Sequence, residues 1–333
     1  MQKLTTFVAA TALSLMGGAS LADGLELEIF VSEPNEINVT SALIMGPTEM
    51  MVMSAQGTRS SAERLADLID SKGLDLEYIF LSHPHLDHSQ GASVLLERFP
   101  DAKFISTPEI AAVQTHRIPI DDAAAAARHK ENALTSIPAE PYEGDTIEID
   151  GHTIEIWKDL VGDVGIAEPD EPHVALHIPS LNALLPSDIV YYNAHVFLGG
   201  STKESREIWK SQIEDWLARD FDIVVPGHML KTDLDNLTAE GALTHTLDYL
   251  NAYEPAIADS NNSEELIGKM LAIYPDMQHQ SALYIGSWIN FKEMRNISFN
   301  PAAAQFPEGA SEEEIQRIDA ERYEAFKKAY NLD

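Results

Sequence analysis

The sequence predicts an α/β fold, a four-layer αβ/βα sandwich with a C-terminal helical extension. Two observations predict it. Two successive runs of short β-favouring segments are each followed by segments with apolar residues at helical spacing. Two of those β segments also end in ligand-type side chains, at 83–88 in the first half and at His228 in the second. Such residues gather at strand ends, where loops vary without disturbing a core.

The chain begins with Met1-Gln2-Lys3, which carries a charge, and 4–18 is mostly apolar and small. Ser20-Leu21-Ala22 is a small-x-small cleavage site before Asp23. This reads as a secretory signal peptide over 1–22, since the apolar run is too short to span a bilayer. The mature protein is therefore expected to be periplasmic or secreted, with no membrane contact after cleavage. Roughly 310 mature residues suit one large α/β domain with added helices. The expected divisions are a main domain over 23–230, helices packed on it over 231–300, and a linker with a terminal helix over 301–333.

Residues 25–31 alternate apolar and polar and should form a strand, as should 38–44 and 50–53, the last buried on both faces. Apolar residues at helical spacing over 60–71, with Gly73 as C-cap, predict a helix. A strand over 78–81 precedes a helix at 91–98, a strand at 102–106 and a helix opened by Thr107. The alanine-rich 118–134 is a strong helix former, read as a plain surface helix. Residues 146–157 form a hairpin with Asp150-Gly151 at its turn. Strands follow at 173–178, 183–185 and 189–191, then a helix at 204–218 and a buried strand at 221–225 ending in Pro226-Gly227-His228. Helices are expected at 237–253, 263–274 and from 281 onward. After a linker at 301–309, Ser311-x-x-Glu314 is a capping box opening a helix with Ile315, Ile318, Tyr323 and Phe326 on one stripe.

Composition removes several function classes. Lys and Arg total 22 against 54 Asp and Glu, a formal charge of −32. Such a surface repels phosphate and gains nothing from counterion release, so nucleic acid is not an expected partner. A small-molecule substrate is. There is no cysteine, so neither a disulfide nor a thiolate ligand is available.

The chemistry concentrates in Ser82-His83-Pro84-His85-Leu86-Asp87-His88. Imidazoles at i and i+2 on extended backbone project to one side, and Pro84 keeps its neighbours out of the α region. Asp87 and His88 sit where the chain must turn and can address a second point nearby. Imidazole nitrogen and carboxylate oxygen are what zinc accepts at about 2.0–2.2 Å. The inference is a metal site, for two ions.

His83-x-His85-x-Asp87-His88 resembles the signature of the metallo-β-lactamase superfamily, and the resemblance continues to about Gly286. It implies that His83 and His85 hold a first metal and that Asp87, His88 and His228 hold a second. It implies that Asp188 bridges them, with Ser187 where the family usually has glycine. A carboxylate between two dications offers an oxygen to each and lowers their repulsion. The family's third histidine on the first metal is replaced here. Asp163, in Val161-Gly162-Asp163-Val164-Gly165, lies at its place, with Asp170 and His173 as competitors. Such a donor set is harder, so iron or manganese stand beside zinc. Ser54 stands where many relatives have an aspartate supporting the histidine loop. The region of 118–134 is also where family members often place a lid.

The resemblance implies hydrolysis of a small carbonyl substrate such as a lactone, β-lactam, ester or thioester by water activated between two zinc ions. Asp87 would orient that water or carry its proton, and Tyr191, Tyr192 and His195 are candidate substrate donors. Two other classes stay open: a sulfur dioxygenase-like enzyme with one iron, and a non-catalytic metal-binding or assembly protein of the same fold.

Overall fold

A computed structural model of the chain describes residues 24–164 and 171–293. The expected signal peptide, Asp170 and the expected terminal helix lie outside the described residues. The chain opens with β1 (Glu26–Val31), β2 (Thr40–Met45) and β3 (Glu49–Met53). Helix α1 (Arg59–Lys72) follows, N-capped by Thr58 and ended by Gly73 at φ 66°. Then come β4 (Asp75–Phe80), the single turn α2 (Leu86–Ser89), α3 (Ala92–Arg98) and β5 (Lys103–Ser106). The long helix α4 (Pro108–His129) leads to a two-residue strand β6 (Glu140–Pro141).

The second half starts with the hairpin β7 (Thr146–Ile149) and β8 (His152–Leu160), turning on Asp150 and Gly151, both at positive φ. It continues through β9 (His173–Ile178), β10 (Ala183–Tyr191), α5 (Lys203–Leu217) and β11 (Ile223–His228). Helices α6 (Ala239–Ala258), α7 (Ser263–Ile273) and α8 (Gln280–Asn290) complete the described chain.

Among the described residues the strands form a six-stranded sheet in the order β1-β2-β3-β4-β5-β6 and a five-stranded sheet in the order β11-β10-β9-β8-β7. The first begins antiparallel and becomes parallel from β3 onward. β3 reads as continuous apolar residues because it is covered on both faces, the mark of a strand between two layers. One core fills the space between the sheets and under α1 and α3, with Leu43, Met51 and Phe80 meeting Ile156, Leu176 and Leu185. A second lies on the far side of the second sheet, where Leu184 and Val190 meet Trp209 and Ile213 of α5 and Tyr249 and Leu250 of α6. The layers are thus helix, sheet, sheet, helix, as the sequence pattern predicts.

The two sheets are joined where the histidine loop lies. Val39 bridges to His228, Val174 N–H donates to the Ser82 carbonyl at 3.0 Å, and Thr40 Oγ1 donates to the Gly227 carbonyl at 3.1 Å. These hydrogen bonds bring the ends of β4 and β11 to one place.

Two readings of the sequence change. The segments at 183–185 and 189–191 are one strand, since Ser187 at φ 50° shifts the register against β11 without ending the strand. The helices opened by Thr107 and read over 118–134 are one helix running through Pro119, and α4 is not a plain surface helix. It carries Arg117 and Arg128 into the wall of the cavity described below.

Candidate metal centre

β4 ends at Phe80 and the chain bends over 82–84, not the extended run that the sequence predicts; His85 is extended as the N-cap of α2, which then turns the chain so that Asp87 and His88 reach the same cleft. β11 ends in Pro226-Gly227-His228 beside Asp188 of β10. Gly227 is required there because a Cβ would stand 1.8 Å from Asp188 Oδ1. Asp163 arrives from the segment after β8.

These side chains converge as two groups. His83, His85, Asp163 and Asp188 each offer one ligand atom within 4.8 Å of the others, and so do Asp87, His88 and His228. Asp188 touches both: its Oδ1 lies 3.1 Å from His88 Nε2, and its Oδ2 lies 3.1 Å from His228 Nε2 and 3.6 Å from His83 Nε2. Asp87 Oδ2 is 3.6 Å from His88 Nε2 and 3.5 Å from His228 Nε2.

Each of the four imidazoles has one nitrogen held by an oxygen outside the cluster. Ser82 Oγ stands 3.0 Å from His83 Nδ1 and Ser54 Oγ 2.9 Å from His88 Nδ1. His85 Nε2–H donates to Glu171 Oε2 at 2.7 Å, and His228 Nδ1–H donates to the Ile37 carbonyl at 2.8 Å. A ring nitrogen held from outside leaves the other nitrogen facing inward, where a metal would take its lone pair in place of any proton. Ser54 thus supports the histidine loop from the end of β3. His83 Nε2, His88 Nε2 and Asp163 Oδ1 are buried with no hydrogen-bond partner. Buried polar atoms are rarely orphaned, and a cation in each donor group would satisfy the His83 and His88 nitrogens. The donor set fits divalent metal.

The charges agree. Burial pushes the Asp163 carboxyl well above the usual range, with Asp188 and Glu171 adding repulsion against the pull of His85. Burial would also raise Asp188, but His88, His228 and His83 hold it well below. Burial opposes charge on His228 and His85, yet Asp188 lifts the first to about 9, and Asp163 with Glu171 lifts the second to about 10. The cluster draws positive charge toward itself.

Of the two competitors to Asp163, His173 is the one within the described residues, and it lies behind the cluster. Its ring stacks on His83 at 4.8 Å, its Nε2–H donates to the Asp163 carbonyl, and it belongs to neither donor group. Burial lowers it to about 4. Tyr191 faces the centre, its hydroxyl 3.1 Å from Asp163 Oδ2 and 3.3 Å from Asp188 Oδ2. Tyr192 and His195 do not, and the sequence reading of them as substrate donors is corrected. Tyr192 follows the last residue of β10, so strand alternation turns it away, and its hydroxyl donates to the Asn236 carbonyl. His195 is buried against α6, with Nδ1 3.0 Å from the Tyr249 hydroxyl.

A cavity of about 90 Å³ opens over the cluster. Its floor is His85, Asp87, Asp163, Asp188, Tyr191 and His228, and its walls include the apolar Ile37, Leu86, Phe197 and Ile285. α4 adds Arg117 and Arg128, and the residue before α8, His279, stacks on His228 at 4.5 Å. Sequence reasoning missed Glu171, Arg117 and His279. Glu171 stands in an acidic stretch beside the third-ligand position, the one visible signal. His279 carries no spacing signal at all, because the fold alone brings it to the loop.

The family model of the metallo-beta-lactamase superfamily matches residues 56–228. A metallo-beta-lactamase family protein from Thermus thermophilus superposes with a TM-score of 0.54 at 17% identity, over 81% of this chain and 93% of that one. The metallo-beta-lactamase from Pontibacter korlensis superposes at 0.45 with 16% identity, over 68% of this chain and 99% of that one. Hydroxyacylglutathione hydrolase 1 of Vibrio vulnificus (strain YJ016) is 44% identical over 41 residues, 12% of this chain. That match spans 17% of the hydrolase's own length.

Proposed function

This chain belongs to the metallo-beta-lactamase superfamily, and from that premise we propose that it is an exported, metal-dependent hydrolase of a small carbonyl substrate, a lactone, β-lactam, ester or thioester. The observation that carries the proposal is the set of four imidazoles, each oriented from behind and turned toward three carboxylates. His83, His85 and Asp163 would hold one ion, Asp87, His88 and His228 a second, and Asp188 would serve both, zinc being the first expectation. When bound, such ions supply Lewis acidity that polarises a carbonyl and acidifies water.

The chain's own groups do the rest. Asp87 is the most solvent-open carboxylate of the cluster, its side chain 17% exposed, and its Oδ2 is placed to accept and carry a proton from attacking water. The Tyr191 hydroxyl stands between Asp163 and Asp188 on the cavity floor as a donor to a substrate oxygen. Ile37, Leu86, Phe197 and Ile285 exclude water and take an apolar substituent. The Vibrio vulnificus relative, matched over a short stretch, is named as a hydrolase of hydroxyacylglutathione, in keeping with this chemistry.

A second reading rests on one feature. His83, His85 and Asp163 make a two-histidine, one-carboxylate set, the arrangement that holds iron in oxygenases. One iron and oxygen uptake would mark that class.

The deciding experiment is metal analysis of the purified mature protein with hydrolysis assays on nitrocefin, acyl-homoserine lactones and aryl esters. Two equivalents of metal and turnover of one of these are expected. Asp163→Ala should retain one equivalent and lose turnover. A single iron with oxygen consumption selects the second reading, and protein that takes up no metal ends both.

A further inference from the structure

Arg117 of α4 is 6% exposed and lies between two equally buried carboxylates, Asp121 and Glu171. Its Nη1 donates to Glu171 Oε1, while its Nε and Nη2 donate to Asp121 at 3.3 and 3.4 Å. Burying three charges is an expensive way to join a helix to a core. Apolar residues of the same volume serve a fold as well or better. A role beyond packing is needed.

The other end of the Glu171 carboxylate supplies it. Glu171 Oε2 accepts from His85 Nε2–H at 2.7 Å, and His85 Nδ1 faces Asp163 Oδ2 at 3.4 Å. A chain of hydrogen bonds therefore runs from α4 through Arg117, Glu171 and His85 to the candidate metal centre. A carboxylate alone can rotate, but one oxygen bound by a guanidinium whose fork is fixed on Asp121 directs the other. His83, by contrast, is held by Ser82, its neighbour in sequence. His85 depends on residues that only the fold brings near.

Resting on the metal reading above, we propose that Arg117 is a positioning residue: through Glu171 it turns His85 Nδ1 toward Asp163 and so sets the affinity of one of the two ions. The ion at Asp87, His88 and His228 does not depend on it. Asp121, one turn further along α4, steadies the guanidinium. The helix that walls the cavity is thereby tied to one metal position and not to the other.

The test compares the mature wild type with Arg117→Met, Arg117→Lys and Asp121→Asn, all stripped of metal. Zinc alone is titrated against a chromophoric chelator, and nitrogen NMR of the His85 ring reports its hydrogen-bonded Nε2–H in the metal-free protein. Arg117→Met should weaken one of two equivalents about 10- to 100-fold and leave the other unchanged. Its His85 ring should lose the hydrogen-bonded Nε2–H signal. Arg117→Lys, which restores charge but not the fork, should recover part of the affinity. A Met variant that binds both ions as wild type does, or weakens both equally, overturns the role of Arg117. If the Met variant does not fold, the Lys variant is judged by the same readings. Wild type that takes up no zinc sinks the metal reading itself, while the His85 Nε2–H signal in metal-free protein still reports on Arg117.

Discussion

Gly227 is held to its identity by a neighbour from another strand. A Cβ there would meet Asp188 Oδ1 at 1.8 Å, and the strand backbone behind Asp188 leaves it no retreat. Gly227→Ala should cost about 1–3 kcal/mol by overpacking and swing the carboxylate away from His88 and His228. Gly268 in α7 is the matched control, since nothing lies within 4 Å of its Cβ position. Gly268→Ala should stabilise by roughly 0.5–1 kcal/mol through helix propensity and lost chain entropy. Urea unfolding of both variants checks the contrast, and equal effects would refute the close approach. Ser187 and Ser54 tell a related story, as both adopt positive φ at the centre's edge, at 50° and 72°. Ser187 at φ 50° is where the resemblance expects glycine.

The segment before β2 and the start of α1 are joined by Glu36. Its carboxylate accepts from Ser60 Oγ and Arg64 Nη2, and from Thr58 Oγ1 at 3.1 Å. Burial opposes its charge, but the Ser60 and Arg64 donors, the Arg64 charge and the Glu33 backbone N–H hold its pKa below the usual 4.5. A carboxyl lowered in the folded state adds stability above its unfolded pKa and loses it as pH falls through the folded value. Glu36→Gln should therefore melt below wild type at neutral pH, with the gap closing once pH drops under about 4.5. A gap that stays constant down to acid would assign the effect to shape and not to charge. The same joint matters to the centre because Ile37, next in the chain, supplies the carbonyl that orients His228. Val39, just before β2, also bridges to His228, so the end of β11 is tied by backbone to a segment far away in sequence.

For the molecule as a whole, a chain of formal net charge −32 folds its two sheets over a pocket of carboxylates. Self-repulsion at that net charge opposes compaction, and salt screens it. Cations bound only by the folded state stabilise it by mass action, about 2.7 kcal/mol when present at a hundredfold excess over Kd. Dialysis against a chelator should lower the melting temperature, and zinc should restore it where the same ionic strength of sodium chloride restores less. Equal rescue by the two would mean that general screening, and not the cluster, accounts for the loss.

Much of this protein was legible in one dimension. Alternation, helical spacing and turn residues marked nearly every strand and helix, because those signals are local and the layers bury them as expected. The crowding of His83, His85, Asp87 and His88 after a strand announced a cation site, and Pro226-Gly227-His228 announced its other half. Asp163 was placed by register against the family's pattern, and the fold brings it to His85. What could not be read were contacts across long stretches of chain. Arg117 reaching Glu171, His279 stacking on His228, and Tyr192 and His195 turning away depend on how α4, α6 and α8 settle on the sheets. Periodicity fixes which face of an element is buried, but packing of the elements chooses which buried side chains meet.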